Sequence, residues 1–175
     1  MKKRTLALVA VAGLSSLIIT GCGKSSDGSN NTSGNETNLT ENAEASATTD
    51  FGSSLKIGTN ATILLTAPAA FKPTVFASNY LQGWTANKVE VTITNNGSAA
   101  LETSSIAFAS KSGANVCTDI LDGDNGINGA PTKSLAAGAS ETFIIGVGCD
   151  AKAGDPLEIT ATIGSDVVSV KGNLA

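Results

Sequence analysis

Histidine is absent from this 175-residue chain, which excludes every catalytic arrangement that needs an imidazole. A Ser-His-Asp or Cys-His nucleophile therefore cannot form. No Gly-x-x-x-x-Gly-Lys loop is present to hold a phosphate group. Aromatic residues make up only 4% of the chain, which leaves little material for the sugar-binding cleft of a glycosidase. These absences predict a protein that is not an enzyme and that carries no cofactor, apart from the calcium considered below.

Basic residues are also few, and three of them, Lys2, Lys3 and Arg4, lie at the amino terminus. Without these three, the chain has 8 basic and 15 acidic residues, which gives a net charge of −7. An acidic chain without a basic cluster is a poor ligand for nucleic acid. It also has no electrostatic reason to adsorb to an anionic membrane surface. We therefore expect no nucleic-acid partner.

Long apolar runs are missing except for one near the amino terminus, from Leu6 to Ile19. Gly13, Ser15 and Ser16 interrupt this run, and it is shorter than the about 20 residues that a membrane-spanning helix needs. A short apolar run after a cationic start is typical of a secretory signal peptide. The sequence therefore predicts export of the protein from the cytoplasm.

The end of this signal, Ile19-Thr20-Gly21-Cys22, resembles the lipobox of bacterial lipoproteins, with Ile19 where that family usually has leucine. The resemblance implies cleavage after Gly21, so that residues 1–21 are a lipoprotein signal peptide. It also implies lipidation of the Cys22 thiol and a lipid-anchored location on the extracytoplasmic face of the cell membrane. Two or three acyl chains hold a protein at the membrane without a spanning helix. The alternatives are an ordinary signal peptide with an incidental cysteine, or a short uncleaved anchor.

Residues 22–50 are dominated by Ser, Asn, Thr, Gly, Glu and Ala, and Leu39 is their one large apolar residue. Such a segment cannot bury enough apolar surface to offset the entropy of ordering it. The sequence predicts a disordered tether over residues 22–50, followed by one folded domain over residues 51–175.

Short segments of alternating apolar and polar residues dominate residues 51–175. The clearest are Lys88–Asn95, Thr142–Val147 and Leu157–Ile163, and Val167–Lys171 should return from the last of these as a hairpin. Weaker strand signals cover Leu55–Gly58, Thr62–Thr66, Val75–Tyr80, Ile106–Ser110 and Ala114–Ile120. Seven to nine short strands separated by turns predict an all-β, immunoglobulin-like β-sandwich.

Cys117 and Cys149 are the two cysteines left after Cys22. In an exported protein such a pair is usually a disulfide bond, which we expect here. The alternatives are a redox pair or a metal site. Two cysteines without histidine make a poor zinc site, and no Cys-x-x-Cys spacing is present.

Several turn and strand motifs resemble the small immunoglobulin-like domains of Gram-positive, often actinobacterial, surface lipoproteins, the DUF4352-like group. The matching segments are Phe51-Gly52, Ile57-Gly58, Val89 to Gly97 (VEVTITNNG), Leu135 to Ser140 (LAAGAS) and Phe143. The resemblance implies an immunoglobulin-like sandwich at the cell envelope with no established enzymatic role. It supplies no catalytic residue.

The segment from Asp119 to Gly129 is rich in oxygen ligands and glycine. Asp119, Asp122 and Asp124, with Asn125 or Asn128, could bind calcium weakly, because calcium takes six to eight oxygen ligands. The match to an EF-hand loop is poor, since Gly126 stands where a ligand belongs and no glutamate closes the loop. The alternative is a solvated turn.

Tyr80 and Trp84 lie beside Gly83, just before the strand Lys88–Asn95. They could form a surface that binds sugar or a partner, or they could cover the end of the core. Two functions follow from the sequence. The first is an anchored, non-catalytic domain that presents loops or a sheet edge to a protein partner in the envelope. The alternative is an envelope carrier or sensor for a small molecule, a glycan or a metal ion.

Overall fold

The computed structural model describes residues 45–175, which form two β-sheets connected by loops and two short 3-10 turns, Thr103–Ser105 and Gly123–Asn125. The predicted signal peptide, the lipidation site Cys22 and residues 23–44 of the predicted tether lie outside the described residues. In residues 45–175 no helix has the length and apolar character needed to cross a bilayer.

The first sheet has the strand order β1-β11-β10-β6-β7. Its strands are β1 (Ala47–Asp50), β6 (Ile106–Ser112), β7 (Asn115–Val116), β10 (Pro156–Ile163) and β11 (Asp166–Asn173). β10 and β11 form the predicted antiparallel hairpin, with Ile163 opposite Asp166 at its closed end. Gly164 makes this tight turn with a φ of 62°, a conformation that is open to glycine at little cost.

The second sheet has the strand order β2-β3-β5-β9-β8, with β4 also paired to β5. Its strands are β2 (Ser54–Ile57), β3 (Ala61–Leu65), β4 (Ala69–Ala70), β5 (Thr85–Asn95), β8 (Thr118–Ile120) and β9 (Ser140–Cys149). β5 pairs antiparallel with β9 from Thr85–Cys149 to Thr94–Ser140 and forms the centre of this sheet. β2 and β3 are antiparallel neighbours on either side of Thr59-Asn60.

The core lies between the two sheets and follows the two-residue period of the sequence. In β5 the side chains of Val89, Val91 and Ile93 are at most 1% exposed, and in β10 Leu157 and Ile159 are equally buried. Each fully buried aliphatic side chain of this size contributes roughly 1.5–3 kcal/mol to stability. The structure confirms the predicted all-β sandwich, although two-residue strands raise the strand number above the expected seven to nine.

The first strand begins earlier than the boundary at residue 51 that the sequence predicts. β1 runs parallel to β11, with Ala47 opposite Val168 and Asp50 opposite Lys171. Its sequence, ATTD, has no large apolar residue, so composition alone assigned it to the tether. An edge strand of this kind is held by backbone hydrogen bonds to its neighbour, which composition does not record.

The single strand predicted over Ala114–Ile120 is two strands in different sheets. β7 pairs with β6 in the first sheet, whereas β8 pairs with β9 in the second. Cys117 lies between them, and its disulfide bond to Cys149 joins the crossing point to the end of β9. The chain therefore changes sheets at the residue that the disulfide holds.

The prediction of a strand over Val75–Tyr80 is wrong, because this segment is a loop. The Ala77 N–H donates to the Thr74 carbonyl and the Phe76 N–H donates to the Thr74 hydroxyl, so the chain turns at this point. β-Branched and aromatic residues indicated a strand, but the local hydrogen bonds of a threonine compete with sheet pairing. The segment belongs to a long loop between β4 and β5, residues 71–84, hereafter the β4–β5 loop.

Candidate functional site

The β4–β5 loop is joined to the loop after β8 through a buried carboxylate. Asp122 is 2% exposed. It accepts hydrogen bonds from the Thr74 N–H, the Thr74 hydroxyl and the Asn125 side-chain amide, each at 2.8 Å. Burial alone would raise the pKa of Asp122, but these donors hold its pKa below its usual value. The ionised Asp122 carboxylate therefore joins the two loops by hydrogen bonds.

A second set of contacts aligns the β4–β5 loop with the outer edge of β8. Ser78 and Leu121 exchange backbone hydrogen bonds of 2.8 and 3.2 Å. The Asn79 side-chain amide donates to the Asp119 carbonyl, and the Thr118 hydroxyl donates to the Asn79 carbonyl. Asn79 ends this pairing with a φ of 63°, which asparagine tolerates better than most residues. The loop is thus fixed against the sheet at several points.

The tip of the fixed loop presents apolar side chains to solvent. Val75 is 92% exposed and Phe76 is 81% exposed; Leu81 in the same loop is 48% exposed, and Leu121, which follows β8, is 44% exposed. Contiguous exposed apolar groups on a folded domain commonly mark an interaction surface. We call Val75 and Phe76 the apolar tip.

The sequence assigned the binding surface to other residues of this loop, Tyr80 and Trp84. Both are half-buried, and the Tyr80 hydroxyl donates to the Trp84 carbonyl at 3.2 Å. Their role in binding stays a prediction. Sequence reasoning missed the apolar tip because it placed Val75 and Phe76 in a strand. The preceding Pro73-Thr74 pair was the available turn signal.

Asp119 lies apart from Asp122, on β8, where it stands opposite the core residue Val147. Opposite residues of a pair project to the same face, so Asp119 faces the space between the sheets. There it lines a cleft of about 250 Å³ at the margin of the core. The other lining residues are apolar or glycine: Ile106, Ala107, Phe108, Ile120, Leu121, Gly129, Ala130, Ile145 and Gly146. Asp119 is exposed on its solvent side, and partial desolvation by the cleft walls raises the pKa of its carboxyl group.

The three carboxylates predicted for calcium have different surroundings. Asp122 is buried and engaged with Thr74 and Asn125, whereas Asp119 and Asp124 are both exposed, and Asp119 also lines the cleft. Asn125 donates its amide to Asp122 and to the Lys72 carbonyl, and Asn128 is exposed. No group of three potential ligand residues from Asp, Glu, Cys and His is found within residues 45–175. Calcium binding stays a prediction.

Cys117 and Cys149 form the predicted disulfide bond, with Cα atoms 4.5 Å apart. Both cysteines are buried, at 8% and 0% exposed. The bond lies where β7 gives way to β8, beside the strand that carries Asp119. It therefore stabilises the element that forms one wall of the cleft.

Comparison with known proteins supports the fold. The chain matches no family model, and it has no significant match among curated proteins. It is similar to the solved structure of ycdA from Bacillus subtilis subsp. subtilis str. 168, provisionally assigned as a lipoprotein, with a TM-score of 0.55 and 15% identity. That similarity covers 67% of this chain, which spans 38% of the ycdA chain.

A second similar structure is the yjhA protein from Bacillus subtilis, with a TM-score of 0.54 and 12% identity. The match covers 69% of this chain and 98% of the yjhA chain. At such low identities the likeness establishes a shared β-sandwich architecture and carries no assignment of function.

Proposed function

We propose that the protein is a lipid-anchored, non-catalytic lipoprotein of the bacterial envelope whose β-sandwich binds a protein partner through the apolar tip. The observation that carries the proposal is the exposure of Val75 and Phe76, at 92% and 81%, on a loop fixed by Asp122. A preorganised loop loses little conformational entropy on binding, which favours a recognition role.

Anchoring through Cys22 is supported by the lipobox-like segment Ile19 to Cys22 and by the cationic and apolar residues before it. The ycdA structure, provisionally assigned as a lipoprotein, has the same general fold and is compatible with this location. We also propose that the chain is related to the DUF4352-like group of surface lipoproteins, on the motifs described above. Labelling cells with a clickable palmitate analogue tests the anchor: Cys22→Ala should abolish labelling.

A protein partner fits the apolar tip better than the lipid surface does. The chain from Cys22 onward has a net charge of −7, and Asp124 is exposed close to Asn125, which bonds the β4–β5 loop. Acidic groups disfavour close approach to anionic lipid headgroups. Apolar anchors surrounded by polar residues are, in contrast, common at the centres of protein interfaces.

Photo-crosslinking in the encoding bacterium tests the proposed interface. A photoreactive phenylalanine analogue placed at position 76 should give a discrete adduct with one envelope protein. The matched control carries the analogue at Ser165, which is exposed in the β10–β11 turn and should give no such adduct. Equal adducts at both positions, or adducts with lipid alone at position 76, would contradict binding of a protein through the apolar tip.

A further inference from the structure

Part of one edge of the β6 strand has no neighbouring strand in the described residues. On its other side β6 pairs with β10 from Ile106–Ile163 to Lys111–Glu158. On the open side, β7 pairs only with Lys111 and Ser112, and the Cys117 N–H donates to the Ser110 carbonyl. In the described part of the chain no strand lies beside residues 106–109 on that side.

The backbone groups of Phe108 face this open side. In an antiparallel pair the N–H and C=O of one residue point the same way, and the direction alternates along the strand. Because the Ser110 carbonyl points toward Cys117, the groups of Phe108 point to the open side as well. The Ile106 N–H on the same side donates to the Thr103 carbonyl, so the open backbone groups are those of Phe108 and its neighbours, and open groups of this kind can pair with an additional strand.

The corresponding edge of the opposite sheet, at β8, is covered by a loop. Ser78 and Asn79 of the β4–β5 loop cover the outer edge of β8 with backbone and side-chain hydrogen bonds. The β6 edge has no such cover within residues 45–175, although both edges border the same cleft. This asymmetry points to the β6 edge as the one available for a ligand.

The cleft beside this edge has the size and chemistry for one cationic side chain. Its volume of about 250 Å³ is below the about 300–1,000 Å³ typical of small-molecule sites. Ile106, Phe108 and Ile120 give it apolar walls, and Asp119 is its single charged lining residue. Lysine and arginine combine an apolar stem with a charged head, which matches this arrangement.

Asp119 also lacks a basic partner among the described residues. The ion pairs found there join Glu158 to Lys111 and to Lys171, and neither involves Asp119. Asp119 is exposed at the cleft, so its carboxylate can pair with a cation supplied by a ligand. The charge of the cleft therefore selects a basic group.

We propose that the β6 edge binds an extended peptide as an added strand, with one Lys or Arg of that peptide in the cleft against Asp119. Main-chain hydrogen bonds to the open edge supply affinity, and the cleft supplies selection for the basic side chain. The inference relies on the proposed function only in taking a protein as the class of partner. It concerns a different surface from the apolar tip.

The test is selection of a phage-displayed library of random eight-residue peptides on the chain from residue 22 onward. Cys22→Ser keeps this protein in solution. Selected peptides should carry Lys or Arg among β-branched residues at alternating positions. Their affinity should fall by at least about tenfold for Asp119→Asn, which keeps the shape of the side chain but removes its charge. Methylation of alternate peptide amides should abolish binding, because it removes donors to the β6 edge.

Two controls separate this proposal from the proposed function. The double variant Val75→Ser, Phe76→Ser should bind the selected peptides as the parent does, since it alters only the apolar tip. Asp124→Asn removes a neighbouring carboxylate outside the cleft and should also leave peptide affinity unchanged. Thermal melting should show that Asp119→Asn folds as the parent does.

The β6-edge proposal is overturned if no peptide is enriched, or if the enriched peptides lack a basic residue. It is overturned as well if Asp119→Asn or amide methylation leaves binding intact. Equal binding of lysine amide alone would indicate a small-molecule carrier instead of strand addition. The photo-crosslink at position 76 can still form in each of these cases, so failure of one proposal does not imply failure of the other.

Discussion

The carboxylate of Asp122 accepts hydrogen bonds from both the N–H and the hydroxyl of Thr74, at 2.8 Å each, across 48 residues of sequence. This contact ties the β4–β5 loop to the loop after β8. The apolar tip begins at the next residue, Val75. The position of the tip therefore depends on the Asp122 carboxylate, which is buried and hydrogen-bonded within the protein.

Replacement of Asp122 by alanine should destabilise the domain, because the Thr74 N–H and hydroxyl would lose their acceptor. We expect a decrease in Tm on the order of 5 °C, measured by circular dichroism. Asp124→Ala, which removes an exposed carboxylate from the same loop, should melt as the parent does. The decrease should be the same with and without millimolar calcium. A Tm that rises with calcium in the parent but not in Asp122→Ala would instead support the predicted calcium site.

The contribution of Asp122 should also depend on pH in a defined direction. Its folded-state pKa lies below the ordinary value of 3.8. The stabilisation is therefore complete above pH 3.8 and is lost as the pH falls through the lowered folded-state pKa. The Tm difference between the parent and Asp122→Asn, which cannot ionise, should be constant near neutrality and should shrink below pH 3.8. A difference that grows on acidification would contradict this assignment.

Removal of the disulfide should test how much the crossing between sheets depends on Cys117. The bond joins residues 32 positions apart, and closing a loop of this length stabilises by about 3–4 kcal/mol in the chain-entropy model. The double variant Cys117→Ala, Cys149→Ala should lose about this free energy of unfolding in a urea titration. The parent reduced by dithiothreitol should have a urea midpoint similar to that of the double variant. An unchanged midpoint would show that the strands hold the crossing without the bond.

Much of this fold is predictable from the sequence where a residue's surroundings are encoded by its neighbours in the chain. The alternation of Val89, Val91 and Ile93 predicted the central strand and its buried face, both of which are found. β1 was not predictable in this way, because its polar residues become a strand through pairing with β11, more than 100 residues later. Long-range pairing of this kind leaves no local pattern.

The candidate site was less predictable than the fold, for a related reason. Asp119, Asp122 and Asp124 look alike in the sequence. Strand pairing places Asp119 at the cleft, whereas Asp122 accepts hydrogen bonds from Thr74. The apolar tip was missed because Val75 and Phe76 have strand propensity, whereas the turn at Thr74 decides their conformation. In each case the residue type shows whether a side chain is acidic or apolar, but tertiary contacts determine whether it is buried, exposed or in the cleft.

Close packing of β8 on β9 should make Gly146 intolerant of any side chain. A Cβ atom at this position would lie 2.6 Å from the Ile120 carbonyl oxygen and 3.1 Å from the Ile127 side chain. Gly146→Ala should therefore push β8 away and cost about 1–3 kcal/mol of unfolding free energy. Gly123→Ala is the matched control, because the nearest atom to its new methyl group is 3.6 Å away. Equal urea midpoints for the two variants would contradict this account.

The end of β5 depends on the amide of Asn95, which is 1% exposed. Its nitrogen donates to the carbonyls of Ala99, Leu135 and Ala136, and its oxygen accepts from the Gly97 N–H. Asn95→Asp keeps the shape but turns the donor into an acceptor that faces three carbonyl oxygens. We expect a loss of at least about 2 kcal/mol in a urea titration at neutral pH.

The neighbouring Asn96→Asp provides a control of the same chemistry. Asn96 is exposed and donates its amide to the Thr62 hydroxyl at 3.0 Å, a group that can also donate to a carboxylate by rotating its proton. Its substitution should change stability by no more than about 0.5 kcal/mol. A small effect at both positions would mean that the loops at Ala99 and Leu135 are held by their other contacts. A large effect at Asn95 alone would establish that one buried amide joins the end of the central strand to both loops.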